Sequence, residues 1–245
     1  MKEFIYGRNP VFETLRANRR DIFRLQVAEG AQDKGKLTEI LDFSAKRKIP
    51  VERVTRLRLD KLSENHQGVA LEASSYPYIE IEDILENAKS HTQPLFVLVL
   101  DSLQNPQNLG TIIRTAEAVG VHGVLIPTHR AADITPAVVS SSSGACEHML
   151  VARVNLAQAI SQLKDEGAWI VGLDESQESK EPAEVPLERA LAVVVGSEGE
   201  GIHSLVRKSC DYLLRLPMVG QIESLNAAVA GSIVLYLAYL ARKKL

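Results

Sequence analysis

Cysteine is nearly absent from this chain: Cys146 and Cys210 are the only two in 245 residues. They stand far apart and outside any Cys-x-x-Cys pair, which excludes a disulfide framework and a zinc knuckle. Both read as reduced, small apolar fillers. The six histidines are scattered singly, with no His-Glu-x-x-His pair, so no metal site is expected. No apolar run approaches the roughly 20 residues that a membrane-crossing helix needs. Met1 to Asn18 mixes charge among its apolar positions, unlike a secretory leader. A cytoplasmic protein without membrane attachment is the expectation. A basic excess is missing too, since the formal net charge is −3, which is not what a nucleic-acid binder ordinarily carries.

What is present is an ordinary globular composition, 45% hydrophobic and 24% charged, in a length that allows one large or two modest cores. The charge is unevenly spread. Residues 1–75 hold 15 Lys and Arg against 11 Asp and Glu, whereas residues 76–245 hold 13 against 20. The group Arg16, Arg19, Arg20, Arg24 and the later group Lys46, Arg47, Lys48, Arg53, Arg56, Arg58 suit phosphate neutralisation and suit solvated helix faces equally. Within 1–75 the patterns give helices near Pro10–Ala17 and Lys36–Arg47 and strands at Phe23–Ala28, Val51–Val54 and Val69–Ala73. The second helix places Leu37, Ile40, Leu41 and Ala45 on its apolar face. Residues 76–94, with two prolines and an acidic stretch, read as a linker holding one short helix at Ile81–Ala88. From 95 to 245, short apolar runs at 96–100, 124–126, 169–173, 191–195 and 213–216 alternate with helical patterns at 109–119, 156–166 and 205–209. That alternation predicts an α/β domain with a buried parallel sheet, whose ligands bind at the carboxyl ends of the strands. The serine run 140–143 followed by Gly144 fits a loop or a small-residue helix face.

Three segments carry the candidate chemistry. In DSLQNPQNLGTIIRTAEAVG, Leu109, Ile112, Ile113 and Ala116 form a buried stripe and Arg114 stands off it, beside Gly110 one turn earlier. GSEGEGI follows a strand, and its glycines at 196, 199 and 201 have neither the P-loop nor the dinucleotide spacing. Its Glu198 and Glu200 disfavour phosphate and tolerate a cationic ligand. LLRLPMVGQIESLNAAVAGSIVLYLAYLARKKL packs a strand, a turn and a long helix together, with apolar positions at Leu225, Val229, Ile233, Leu237 and Leu240. Gln221, Glu223, Ser224 and Asn226 gather before that helix, where free N–H groups make a ligand site. The residues themselves leave a second reading open, in which Ser224 is simply the cap and Asn226 a solvated first-turn residue.

These three segments, in this order, resemble the three motifs of the SpoU (TrmH) branch of the SPOUT RNA methyltransferases. GRNPVFETL and ENHQGVALEAS resemble the small ribosomal-protein-like RNA-binding domain that precedes the catalytic domain in several of its members. The resemblance implies an RNA substrate-binding domain over 1–75 and, after the 76–94 linker, a methyltransferase domain over 95–245 with a deep trefoil knot. It implies S-adenosylmethionine held by main-chain groups of Gly196, Leu216 and Leu225 with Ile202 and Met218 as apolar walls. It also implies a polar active site of Asn108, Arg114, Glu198, Ser224 and Asn226. The implied reaction is 2′-O-methylation of a ribose, most like the enzymes that modify one guanosine in the peptidyl-transferase P-loop of 23S rRNA. The rivals are a transfer-RNA methyltransferase and a non-catalytic assembly factor on the same fold. Arg114 is the family's proposed base; a guanidinium is a poor base, so phosphate binding and stabilisation of the developing alkoxide suit it better. Ser224 and Asn226 would orient the ribose, and Glu198 would fix Arg114 or the loop. A homodimer is implied as well, and the small-residue face Ala227, Ala228, Gly231 suits close packing between copies or within one chain.

Overall fold

The computed structural model of the chain describes residues 2–91, 93–129, 132–222 and 224–243. Glu223, one of the polar residues before the last helix, lies outside them. The chain forms two compact units, each built from two separate segments: Met1–Pro77 with Asp133–His148, and Tyr78–Ala132 with Met149–Leu245.

The first unit opens with β1 (Lys2–Tyr6), α1 (Arg8–Ala17), β2 (Ile22–Ala28), α2 (Lys36–Lys46), β3 (Val51–Val54), α3 (Arg56–Asp60) and β4 (Val69–Ser74). Its sheet runs β1-β4-β2-β3, antiparallel except where β2 and β3 pair. β1 carries two charges in five residues and gave no apolar run to read. On α2 the buried face passes through Leu37, Ile40 and Ser44, not Ala45, because the Ser44 hydroxyl donates back to the Ile40 carbonyl and so enters the interior satisfied. Members of both basic groups are paired within the fold. Arg20 is buried against Glu147, Arg24 pairs with Glu72 and Glu52, Arg53 with Asp33, and Arg58 with Glu52.

The second unit continues with α4 (Ile81–Ser90), β5 (Phe96–Leu100), α5 (Pro106–Ala118) and β6 (Gly123–Pro127). The stretch expected as a linker thus supplies α4, whose Ile81, Ile84 and Ala88 are buried in this unit's core. The chain then forms α6 (Pro136–Ser141) and a tight turn at Ala145–His148, both in the first unit. The serine run is therefore the end of a short helix, closed by Ser143 and Gly144 at positive φ. Back in the second unit come β7 (Val151–Val154), α7 (Leu156–Asp165), β8 (Trp169–Leu173), β9 (Leu191–Val195), α8 (Ser204–Lys208), β10 (Tyr212–Leu214) and α9 (Ala227–Arg242). All six strands are parallel, in the order β10-β8-β9-β5-β6-β7. β5 and β9 lie at the centre, and every residue of FVLVL and LAVVV is buried, as parallel strands covered on both faces require.

α9 departs from its expected face. It begins at Ala227, and Ala228, Gly231, Val234, Leu235 and Ala238 point inward. Val229, Ile233, Tyr236 and Leu240 are exposed. Gly231 shows why the small side packs inward: a Cβ there would lie 2.5 Å from Ile112 Cδ1 and 2.9 Å from Val195 Cγ2, so α9 approaches α5 and β9 closely. At its far end Arg242 stacks 4.3 Å over Phe96 and donates to the carbonyls of Pro94 and Leu95. Among the described residues no carboxylate pairs with it, and burial pushes its guanidinium down to about 10. Among the described residues no helix is long and apolar enough to cross a membrane.

Candidate active site

The strand order reverses between β5 and β9, since the chain moves outward through β6 on one side and through β8 on the other. In an open α/β sheet the crevice beyond such strand ends is the natural ligand site. The Asp101 N–H, one residue past β5, donates to Val195 O, the last residue of β9, so the two exits leave side by side. A cleft of 670 Å³ opens here, a size that accommodates a nucleoside-like ligand. Val195, Ile202, Leu214, Leu216 and Leu225 give it apolar walls, while Asp174, Glu175, Glu198 and Glu200 give it negative charge. Its one basic side chain, Arg207, is already paired with Asp174 at 2.7 Å. Burial raises the Asp174 carboxyl, and the Arg207 and Ser176 bonds outweigh that and hold it below its ordinary value.

The turn after β9 is shaped by glycine. The Ser197 N–H donates to Gly201 O at 3.0 Å and the Gly201 N–H returns to Ser197 O at 3.1 Å. Gly199 and Gly201 both sit at positive φ. A Cβ on Gly196 would meet Gly201 C at 2.1 Å and Ile202 N at 2.4 Å, so only glycine lets this turn fold flat onto the strand end.

Asn226, not Ser224, caps α9. Its Oδ1 accepts from the N–H groups of Ala228 and Val229 at 3.0 and 3.2 Å. That fixes the amide, and its Nδ2 then donates to Asn108 Oδ1 at 3.2 Å and to Glu198 Oε1 at 2.9 Å. Asn108 Nδ2 donates to the same Glu198 oxygen. One residue from each motif therefore meets in a closed cluster, joining α5, the glycine turn and the start of α9. Asn105 caps α5 by accepting from the Gln107 N–H at 2.8 Å, a turn role with no part in this cluster.

The remaining site residues divide. Gly196, Ile202, Leu216, Ser224 and Leu225 line the cleft with Glu198 and Asn226. Arg114 lies on the exposed side of α5, six positions past Asn108, and Met218 is half-buried; neither is among the lining residues. Two groups escaped the sequence reading. Asp101, almost fully buried, accepts the His203 N–H at 2.7 Å and lies 2.9 Å from His203 Nδ1, pinning the end of the glycine loop to β5. Asp174 and Arg207 form the pair on the cleft wall. The only signal for Asp101 was its place immediately after an apolar strand; the other three had none.

The residues fit an adenosine-type cation: apolar walls for a base, the Gly196 backbone on the lining, and carboxylates whose one basic neighbour among the described lining residues, Arg207, is already paired. The model of the SpoU rRNA Methylase family matches residues 95–236, and that described as RNA 2′-O ribose methyltransferase substrate binding matches residues 4–79. The chain belongs to the SpoU family of RNA methyltransferases. It is 40% identical over 239 residues to a putative TrmH family tRNA/rRNA methyltransferase of Bacillus subtilis, YacO, covering 97% of this chain and 95% of that one. A Staphylococcus aureus relative described in the same words is 41% identical over 95% of this chain and 93% of its own. Among solved structures, the SpoU methyltransferase AviRb from Streptomyces viridochromogenes, in complex with AdoMet, superposes with a TM-score of 0.81 at 22% identity. That match covers 99% of this chain and 91% of that one. The shared fold, an N-terminal substrate-binding domain followed by a SpoU domain, is the one expected from the sequence.

Proposed function

We propose that this chain transfers a methyl group from S-adenosylmethionine to a ribose 2′-hydroxyl of RNA, with a guanosine in the peptidyl-transferase P-loop of 23S rRNA as the substrate to test first. The observation that carries the reading is the Asn108–Glu198–Asn226 cluster at the mouth of an acidic, apolar-walled cleft. When bound, the cofactor supplies a methyl group on a sulfonium for in-line displacement. The residues of this chain do the rest. Main-chain groups at Gly196, Leu216 and Leu225 hold the adenosine portion, with Ile202 against the base. The closed cluster keeps the glycine turn and the start of α9 in register, and Ser224 faces the same cleft to orient the ribose. Arg114, exposed on α5 and off the buried stripe, holds a neighbouring phosphate and stabilises charge growing on the ribose oxygen. Holding two reactants in line lowers a barrier by roughly 7 to 11 kcal/mol in favourable cases.

The 2′-O ribose methyltransferase substrate-binding model over residues 4–79 supports ribose as the target, and the relatives' naming for both tRNA and rRNA makes transfer RNA the alternative substrate. A homodimer belongs to the same reading, supported by the exposed stripe Val229, Ile233, Tyr236 and Leu240 on α9. So does a cytoplasmic location, where the RNA is. Incubation with labelled S-adenosylmethionine and unmodified 23S rRNA or tRNA, followed by mapping of the modified nucleoside, tests it. Methylation of a base instead of a ribose, or none on either RNA by a chain that binds the cofactor, refutes it.

A further inference from the structure

Methyl transfer to a ribose hydroxyl releases a proton, and the groups assigned so far are badly suited to take it. A guanidinium stays protonated at neutral pH, and the Glu198 oxygen of the cluster already accepts two amide N–H groups. A second hollow of 390 Å³ shares Ser197, Glu198 and Glu200 with the cleft and adds Ser102, Asn105 and His203. In it the His203 side chain is 43% exposed, while its partner Asp101 is 5% exposed. Asp101 Oδ2 accepts the His203 backbone N–H at 2.7 Å, and Oδ1 faces His203 Nδ1 at 2.9 Å. Ser102 Oγ donates to that same Oδ1 at 3.3 Å. A carboxylate can only accept, so Nδ1 carries the hydrogen, and Nε2 of the neutral ring is left as an acceptor. A base oriented by a buried carboxylate is the arrangement that general-base catalysis uses.

We propose that His203, oriented by Asp101, accepts the 2′-hydroxyl proton of a ribose held in the cleft beside Ser224, where the second hollow joins it at Ser197, Glu198 and Glu200. The proposal rests on the ribose-methylation reading. The ribose oxygen gains a bond to the methyl carbon as that carbon's bond to sulfur breaks, the bonding pair stays on sulfur, and the hydroxyl proton ends on Nε2. Among the described residues, the charged groups about the ring are Asp101, which pairs with it, and Glu198 and Glu200 on the turn after β9, which line the hollow with it.

His203→Gln in the full chain is the test, because the backbone N–H bond to Asp101 survives it. Calorimetric affinity for S-adenosylmethionine should stay within about threefold of wild type, while kcat on RNA falls about 100-fold or more. Independently of turnover, ¹⁵N NMR of the free protein should show the neutral His203 ring with its hydrogen on Nδ1. Wild-type kcat in the variant, or a hydrogen on Nε2, overturns the proposal; lost cofactor affinity makes His203 a loop anchor only. A wild-type chain that binds cofactor yet methylates no RNA overturns the functional reading and this proposal with it. Failure of the His203 experiments alone, with wild-type activity intact, leaves that reading standing.

Discussion

Glu147→Gln isolates the strongest polar contact inside the first unit. Both carboxylate oxygens of Glu147 take the Arg20 fork, Oε2 from Nε at 3.0 Å and Oε1 from Nη2 at 2.7 Å, and neither side chain has any exposure. Burial alone would lower the guanidinium's hold on its proton; Glu147 and then Glu3 offset this and raise it above its ordinary value. Glutamine keeps the shape and removes the charge, leaving Arg20 with Glu3 at 2.9 Å and the Ser74 carbonyl. Breaking a buried pair from one side costs about 3 to 5 kcal/mol. Glu3 survives as a partner and is itself partly exposed, so the lower end applies, about 3 kcal/mol. In a chain of this size that is a fall of about 6 to 12 °C in the melting midpoint. Scanning calorimetry measures it, with circular dichroism to confirm the native fold at 25 °C. Arg20→Met combined with Glu147→Leu should recover most of the loss, because no charge is then left buried without its partner. A Glu147→Gln protein that melts within about 1 °C of wild type would refute the reasoning, as would a double variant less stable than the single one.

Other consequences can be measured alongside. Gly196→Ala must open the 197–201 turn, and cofactor affinity by calorimetry should fall at least about tenfold with a stability loss of about 1 to 3 kcal/mol; unchanged affinity would remove this turn from the site. Arg114→Ala should melt as wild type does and lose about 100-fold in methyl transfer. Arg114→Lys should recover RNA affinity better than rate, since the charge returns without the fork. Light scattering should give about twice the 26.9 kDa chain mass, and Ile233→Glu with Tyr236→Glu should reduce it to the single chain without unfolding it. Burial, with Arg242 and His91 nearby, pushes the His122 imidazole down from 6.5 to about 4. The unfolded chain therefore takes up a proton that the folded one refuses. That stability is whole above pH 6.5 and declines as pH falls toward about 4. His122→Asn, which keeps an acceptor for the Phe96 N–H, should flatten this part of the midpoint-versus-pH curve.

The strands of the catalytic unit were legible because a parallel strand buried on both faces is an unbroken apolar run; Phe96–Leu100, Trp169–Leu173 and Leu191–Val195 begin and end where the residues change character. α9 was harder. It has apolar residues nearly all round, so periodicity alone selects no inward face, and the decision falls to the close approach that Gly231 permits. Asn108, Glu198 and Asn226 came from motif resemblance, and their mutual bonds join positions 28 to 118 residues apart that no local pattern links. Asp101 and His203 were hidden for the same reason. A lone aspartate after a strand and a lone histidine before a short helix have a meaning only once the sheet sets them side by side.

The split make-up of the first unit has a consequence for synthesis. Its β-sheet leaves the ribosome first, yet Arg20 must wait for Glu147, which is specified only after the chain has started the other unit through α4, β5, α5 and β6. At about 5 to 20 residues per second, residues 78–148 take roughly 4 to 14 s to appear. Throughout that interval the nascent N-terminal portion carries a guanidinium destined for the interior, with Glu3, the Ser74 carbonyl and the Tyr76 ring to meet it and Glu147 still missing. The earlier of the two segments is thus completed as a unit only once residues 133–148 have been added.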